Sequence, residues 1–181
     1  LRMNSAQQSG IFIRSVASRG HLGGLASTTR FMINAIEMLG NDITLVETVG
    51  AGQGDVEIVQ VADTTIVVEV PGLGDEIQGQ KAGILEIGDI LVVNKGDRPG
   101  SDRLTKELRM MLSLGEKKEW ESPIVTTTAT NGEGLELLWE KINEHKDYLG
   151  NNKRNKMRLR RINYDLENQV SQKLFTKKMI Q

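Results

Sequence analysis

The chain has 181 residues, enough for one domain with a substantial core, and its 23 Lys and Arg against 24 Asp and Glu give a formal net charge of −1. It has no cysteine and only two histidines, His21 and His145, which excludes a disulfide framework and a thiolate metal site and argues against a histidine metal cluster. No apolar stretch approaches the roughly 20 residues that a membrane-spanning helix needs.

The pattern along the chain alternates between helix and strand signals. A helix is predicted over about residues 24–39, followed by a short β-branched run at 43–46. Further apolar runs without polar alternation lie at 65–68, 90–93 and 124–125, and helices are predicted at about 75–86, 101–114 and 133–149. Runs of this kind suit strands buried on both faces of a parallel sheet. Strand, helix and strand repeated in this order imply right-handed crossovers. The fold expected is therefore α/β, a three-layer sandwich around a mainly parallel sheet. Glu69 interrupts its strand and must face an edge or find a partner, since a buried lone carboxylate is costly.

In such sheets ligands bind beyond the carboxyl ends of the strands, and those ends carry the polar motifs. The first is Glu47-Thr48-Val49-Gly50. A carboxylate at Glu47 is suited to hold a Mg²⁺-bound water, and the Gly50 amide can approach a γ-phosphate. The second opens into Pro71-Gly72-Leu73-Gly74-Asp75, ahead of a helix bearing Lys81. The third is Asn94-Lys95-Gly96-Asp97, directly after the apolar run 90–93. An aspartate here accepts from N1–H and the exocyclic amine of guanine, a donor pair that adenine lacks. The lysine stem lies along the base, and the asparagine ties neighbouring loops together. The fourth end runs through Thr128, Ala129 and Thr130, where the amide near Ala129 is placed to donate to guanine O6. Guanine contacts are thus expected from Asn94, Lys95, Asp97, Thr128, Ala129 and Thr130. GTP or GDP with Mg²⁺ are the implied ligands, with Glu47 and Gly50 nearest the chemistry. The sequence contains no Gly-x-x-x-x-Gly-Lys-Ser/Thr phosphate loop, so hydrolysis by these residues alone is not expected.

Plainer readings accompany several of these residues. Glu47 taken alone is a solvated strand-end acid, Lys81 a solvated helix lysine, and Gln53 an ordinary loop glutamine. His21 serves equally as part of a helix-entry turn or of a phosphate-facing loop. His145, in a polar, charged helix end, is expected to be exposed.

Together the motifs carry a family resemblance. Arg19-Gly20-His21-Leu22-Gly23-Gly24, Glu47-Thr48-Val49-Gly50, Pro71-Gly72-Leu73-Gly74-Asp75 and Asn94-Lys95-Gly96-Asp97 resemble the MeaB/ArgK-type GTPases. These are the methylmalonyl-CoA mutase-associated GTPases, once described as LAO/AO transport-system kinases. The likeness runs over about residues 1–150 and implies a P-loop NTPase fold whose phosphate-loop segment lies upstream of residue 1. It also implies that Glu47 to Gly50 stand where other GTPases have Asp-x-x-Gly, and that the loop from Gly72 to Lys81 is an extra switch. The implied partner is adenosylcobalamin-dependent methylmalonyl-CoA mutase or a relative, whose cofactor delivery the GTPase gates. Homodimers are implied, as is a cytoplasmic location (the mitochondrial matrix in a eukaryote), with cobalamin bound by the partner.

Charge divides the chain at about residue 150. Residues 151–181 hold nine Lys and Arg against Asp165 and Glu167, leaving residues 1–150 at −8. Leu159, Ile162, Leu166, Val170 and Leu174 recur at helical spacing and mark one apolar stripe. The expectation is a partial GTPase domain over 1–150 and a basic amphipathic helix over 151–181 that packs on its own domain or on a dimer mate. Aromatic residues are only 4% of the chain, which weighs against base stacking and nucleic-acid binding. Two alternatives stay open: a transport-system kinase or ATPase, which Asp97 disfavours, and a partner-binding module that hydrolyses nothing.

Overall fold

The structure is a computed structural model and describes residues 11–15, 24–48, 59, 61–72 and 87–179. The chain divides into two compact units, residues 1–47 and 48–181. The first unit contains helix α1 (Gly24–Met38), closed by a turn in which Asn41 Nδ2 donates to the Ile36 carbonyl at 3.1 Å.

The second unit is built on three strands, β1 (Ile66–Glu69), β2 (Ile90–Asn94) and β3 (Ile124–Thr127). They form a parallel sheet in the order β1-β2-β3, in register Val67↔Leu91, Val92↔Val125 and Asn94↔Thr127. Helix α2 (Ser101–Leu114) joins β2 to β3, and helix α3 (Leu135–Met179) follows β3. The period-2 alternation of β2 divides its apolar run between the two faces. Leu91 and Val93 pack with Val67 against Leu104 and Leu108 of α2. Ile90 and Val92 pack with Val125 against Leu138 and Ile142 of α3. Both faces of β2 are therefore covered, which is why its sequence is a continuous apolar run. This is the three-layer α/β sandwich expected from the sequence.

Residues 43–46 depart from expectation. They form no strand, and Leu45 is 86% exposed. A β-branched run fits a pleated surface but becomes a strand only when a neighbouring ladder takes its amides and carbonyls, and no such ladder is present here among the described residues. The helix predicted at 75–86 lies outside the described residues. Glu69 closes β1, at the edge of the described sheet, and is half-buried.

The helix predicted at 133–149 is the first part of α3, which continues through the basic segment with one interruption. Gly150 has φ 50° and ψ −175°, where a side chain would be strained. A clasp spans this kink. Lys153 Nζ sits 3.9 Å over the Tyr148 ring and 2.8 Å from Glu119 Oε2, to which Tyr148 OH also donates at 3.2 Å. Farther on, Arg161 pairs with Asp63 at 2.8 Å and donates to the Ala62 carbonyl.

His145, expected to be exposed, is only 2% exposed. It continues the inward face of α3 marked by Leu138, Ile142 and Leu149, so helical spacing places a polar residue where the core needs a side chain. Its Nδ1 lies 2.9 Å from Thr64 Oγ1 and its Nε2 3.4 Å from Asp89 Oδ1. Asp89 Oδ2 accepts the Thr65 amide at 2.7 Å, and the Asp89 carbonyl accepts Trp120 Nε1 at 2.8 Å. Burial pushes the Asp89 carboxyl above its ordinary range, opposed by the Thr65 amide and by His145. Burial likewise holds the His145 imidazolium below its ordinary range, against the pull of Asp89 and Asp63.

These opposite shifts act on stability in opposite directions as pH falls. The unfolded histidine takes its proton near pH 6.5 while the folded one resists it, so acidification below that point favours unfolding. The raised Asp89 acts the other way: its folded form holds the proton longer, which adds stability as pH falls through its raised folded value. The His145 contribution should therefore lower the denaturation midpoint as pH is lowered from 7.5 to about 5.5. His145→Gln should flatten that fall, as denaturant titrations across the range would show; an unchanged slope would remove His145 as its source.

Candidate functional site

The site begins where the apolar run of β2 ends. Ile90 to Val93 are buried, and Asn94 is the first polar side chain to emerge at the carboxyl edge of the sheet. The parallel register sets Asn94 beside Thr127, the last residue of β3. Asn94 Oδ1 accepts two hydrogen bonds, from Thr127 Oγ1 and from the Ala129 amide, each at 3.2 Å. One side chain thus ties the loop after β2 to the loop after β3.

The loop after β2 turns at once. Lys95 has φ 60°, unusual for a residue with a side chain, and its carbonyl accepts the Arg98 amide at 2.9 Å. The Gly96 amide donates to the Thr127 carbonyl at 2.9 Å, a second tie to β3. Lys95 and Asp97 are exposed, and the Asp97 carboxylate has no hydrogen-bond or ion-pair partner among the described residues.

The loop after β3 folds on itself. Thr128 is buried, its amide donating to the Glu133 carbonyl at 2.9 Å and its carbonyl accepting the Asn131 and Gly132 amides at 3.1 Å. Asn131 Oδ1 accepts the Glu133 amide at 3.0 Å. Gly134 has φ 78°, and a Cβ there would collide with the Thr126 carbonyl oxygen, so glycine is required for the loop to close. The result leaves Ala129 and Thr130 exposed beside Asn94.

The sheet edge therefore brings together Asn94, Lys95, Asp97, Thr128, Ala129 and Thr130, all six of the residues expected around a guanine base. The arrangement presents a carboxylate that is unpartnered among the described residues, a cationic stem and a backbone loop held by hydrogen bonds. Glu47 lies in the 1–47 unit, with its carboxylate exposed. Gly50, Gln53, His21 and Lys81 lie outside the described residues. Among the described residues no group of three or more His, Cys, Asp or Glu side chains could hold a metal ion. A nucleotide-bound Mg²⁺ needs no such cage, since it keeps several waters and takes one or two carboxylates plus phosphate oxygens. Glu47, a hard oxygen donor open to solvent, fits that supporting role.

Asn94 was expected to tie neighbouring loops together, and the β2–β3 register supplies its partners, Thr127 and the Ala129 amide. Sequence reading passed over Ser101, whose hydroxyl donates to the Gly96 carbonyl at 2.9 Å.

Comparison with known proteins places these features in context. The family model described as "Methylmalonyl Co-A mutase-associated GTPase MeaB" matches residues 1–181. The chain is 51% identical over 145 residues to a protein of Pyrococcus horikoshii that is by name a candidate GTPase, covering 77% of this chain and 45% of that protein. It is 34% identical over 154 residues to the GTPase ArgK of Escherichia coli, covering 82% of this chain and 46% of ArgK. A solved crystal structure of an LAO/AO transport system kinase superposes with a TM-score of 0.70 at 24% identity, over 85% of this chain and 51% of that one. That superposition bears on the fold alone. The chain spans about half the length of the curated relatives it matches.

Replacing Asn94 by Ala leaves the Thr127 hydroxyl and the Ala129 amide without their acceptor. The expected cost is about 1–3 kcal/mol, the usual penalty for orphaned polar groups. Urea titration would measure it, and Asn94→Asp, which keeps an acceptor oxygen, should recover most of it. An Asn94→Ala variant as stable as the parent would show that the tie contributes nothing.

Proposed function

The chain belongs to the family of methylmalonyl-CoA mutase-associated GTPases, and from that premise we propose that its protein binds and hydrolyses GTP to gate adenosylcobalamin delivery to methylmalonyl-CoA mutase or a related mutase, which it also protects. The observation that carries the guanine reading is the pre-set edge of β2 and β3. Asn94 holds the two loops together while the Asp97 carboxylate is left unpartnered among the described residues.

In this reading Asp97 accepts from N1–H and the 2-amino group of guanine. The Lys95 stem covers one face of the base, and Thr128, Ala129 and Thr130 border its O6 edge. The Ala129 amide, now 3.2 Å from Asn94 Oδ1, can be shared with the O6 acceptor. A preformed loop loses little conformational freedom on binding, so more of the interaction appears as affinity.

Phosphoryl transfer depends mainly on positioning and on neutralising charge over the phosphate oxygens. Magnesium supplies part of that neutralisation when bound. Glu47 would hold one of its waters, and the Gly50 amide would face the γ-phosphate. Lys81, on the loop that follows Gly72, would report nucleotide state to the partner.

The segment of α3 beyond Gly150 fits a dimerisation or packing arm. Leu159, Ile162 and Leu166 each leave more than half of their surface exposed along one helical stripe. The basic charge of residues 151–181 is opposite in sign to the −8 of residues 1–150, which favours a second copy as the surface it meets. Among the described residues no helix is long and apolar enough to cross a membrane. A cytoplasmic or mitochondrial-matrix location accords with a mutase partner.

Asp97→Asn tests the guanine reading directly. An amide can donate to the O2 of xanthine but cannot accept both guanine donors. GTP affinity should fall on the order of 10- to 100-fold, the range for losing a charge-assisted pair, and XTP affinity should rise. Competition titrations of GTP against XTP measure both. Unchanged selectivity would sink the base-reading role of Asp97.

A further inference from the structure

With no side-chain partner among the described residues, Asp97 takes its position from the backbone on either side. The Gly96 peptide before it is pinned twice. Its amide donates to the Thr127 carbonyl at 2.9 Å, and its carbonyl accepts Ser101 Oγ at 2.9 Å. That carbonyl shares a rigid peptide plane with the Asp97 amide. Holding it fixes the rotation about Gly96, and with it the direction in which Asp97 leaves the chain.

Ser101 is unusually committed to this contact. It is the first residue of α2 and is 8% exposed. A serine at a helix start ordinarily serves as the N-cap, accepting an amide of the first turn. Here Gly100 holds the N-cap position, with no side-chain hydrogen bond to the first turn, and the Ser101 hydroxyl donates backwards across five residues. The Ser101 carbonyl accepts Thr105 Oγ1 at 2.9 Å, fixing the residue to the turn that buries Leu104. The hydroxyl therefore links a helix anchored in the core to the peptide that aims Asp97.

We propose that Ser101 is a positioning residue for nucleobase selection, acting through the Gly96 carbonyl to hold Asp97 in line with the N1–H and 2-amino donors of guanine. This rests on the guanine-reading role of Asp97 proposed above. A plainer role, closing the 96–101 loop for stability alone, would weaken all nucleotides equally.

The two roles separate by nucleotide and by background. Measurements use the full-length protein with Mg²⁺, titrated with GDP and with IDP, whose base lacks the 2-amino group. Ser101→Ala should weaken GDP about 3- to 10-fold, the range for one neutral hydrogen bond. IDP, which has one fewer contact to a misaimed carboxylate, should weaken less, so the GDP-to-IDP ratio narrows. Ser101→Thr, which keeps the hydroxyl, should restore the ratio. On an Asp97→Ala background Ser101→Ala should cost no further GDP affinity, because the group it aims has gone. Equal weakening of GDP and IDP, or an undiminished penalty on the Asp97→Ala background, would overturn the proposal while leaving Asp97 as the base reader. GDP binding that is indifferent to Asp97→Ala would overturn the base-reading role itself, and the positioning role with it. Thermal melts of each variant guard against reading a folding defect as lost selectivity.

Discussion

The register of β2 against β3 is the constraint on which the rest of the site depends. Because Asn94 stands beside Thr127, a single side-chain oxygen can accept from both the last residue of β3 and the loop beyond it. A slip of one residue would exchange the two faces of β2, unseating Val93 from its packing against α2 and taking Asn94 away from Thr127. The apolar packing on both faces of β2 therefore also sets the geometry of the polar edge. Core and site are one arrangement here, joined at the residue where hydrophobic alternation ends.

The opposite end of the same strands is organised differently. There Asp89, just before β2, takes the Thr65 amide and faces His145 of α3, while its carbonyl accepts Trp120. Burial disfavours the ionised form of both Asp89 and His145, against the attraction between them. Their value lies in joining α3 to the loops that enter β1, β2 and β3. The Tyr148–Glu119–Lys153 clasp continues that anchorage across Gly150, and Arg161 extends it to Asp63. The exposed clasp contributes little energy. What it does supply is a direction for the helix after a glycine that would otherwise permit several.

Much of this was legible in the sequence, for physical reasons that can be named. The run 90–93 lacks polar alternation because both of its faces are covered, and the motif after it stands where a parallel sheet exposes its strand ends. The six residues proposed for base contact come together because each lies within a few positions of such an end. Residues 43–46 misled for the converse reason, since β-branched composition reports what a strand would like to bury and not whether a ladder is there to receive it. His145 was misread because its neighbours in sequence are charged, whereas its neighbours in space are set by the i, i+3 and i+4 face it shares with Ile142 and Leu149. Ser101 was passed over because nothing in its neighbours marks it, and its bond back to Gly96 depends on how the 96–101 loop turns.

The site also separates two demands that a nucleotide-binding protein must meet. Recognising a base requires a few donors and acceptors held to within fractions of an ångström, and that precision comes most readily from adjacent strands in a packed sheet. Asn94, Thr127 and the Gly96 amide satisfy it over short distances, with the buried run 90–93 beneath them. Responding to the phosphate end requires segments able to take two arrangements, and such segments cannot be locked into a core without losing the second one. Glu47, exposed at the end of the 1–47 unit, is proposed to be an element of that second kind. On the proposed reading, an edge fixed by Asn94, Thr127 and the Gly96 amide can keep hold of a base whatever arrangement the phosphate end requires.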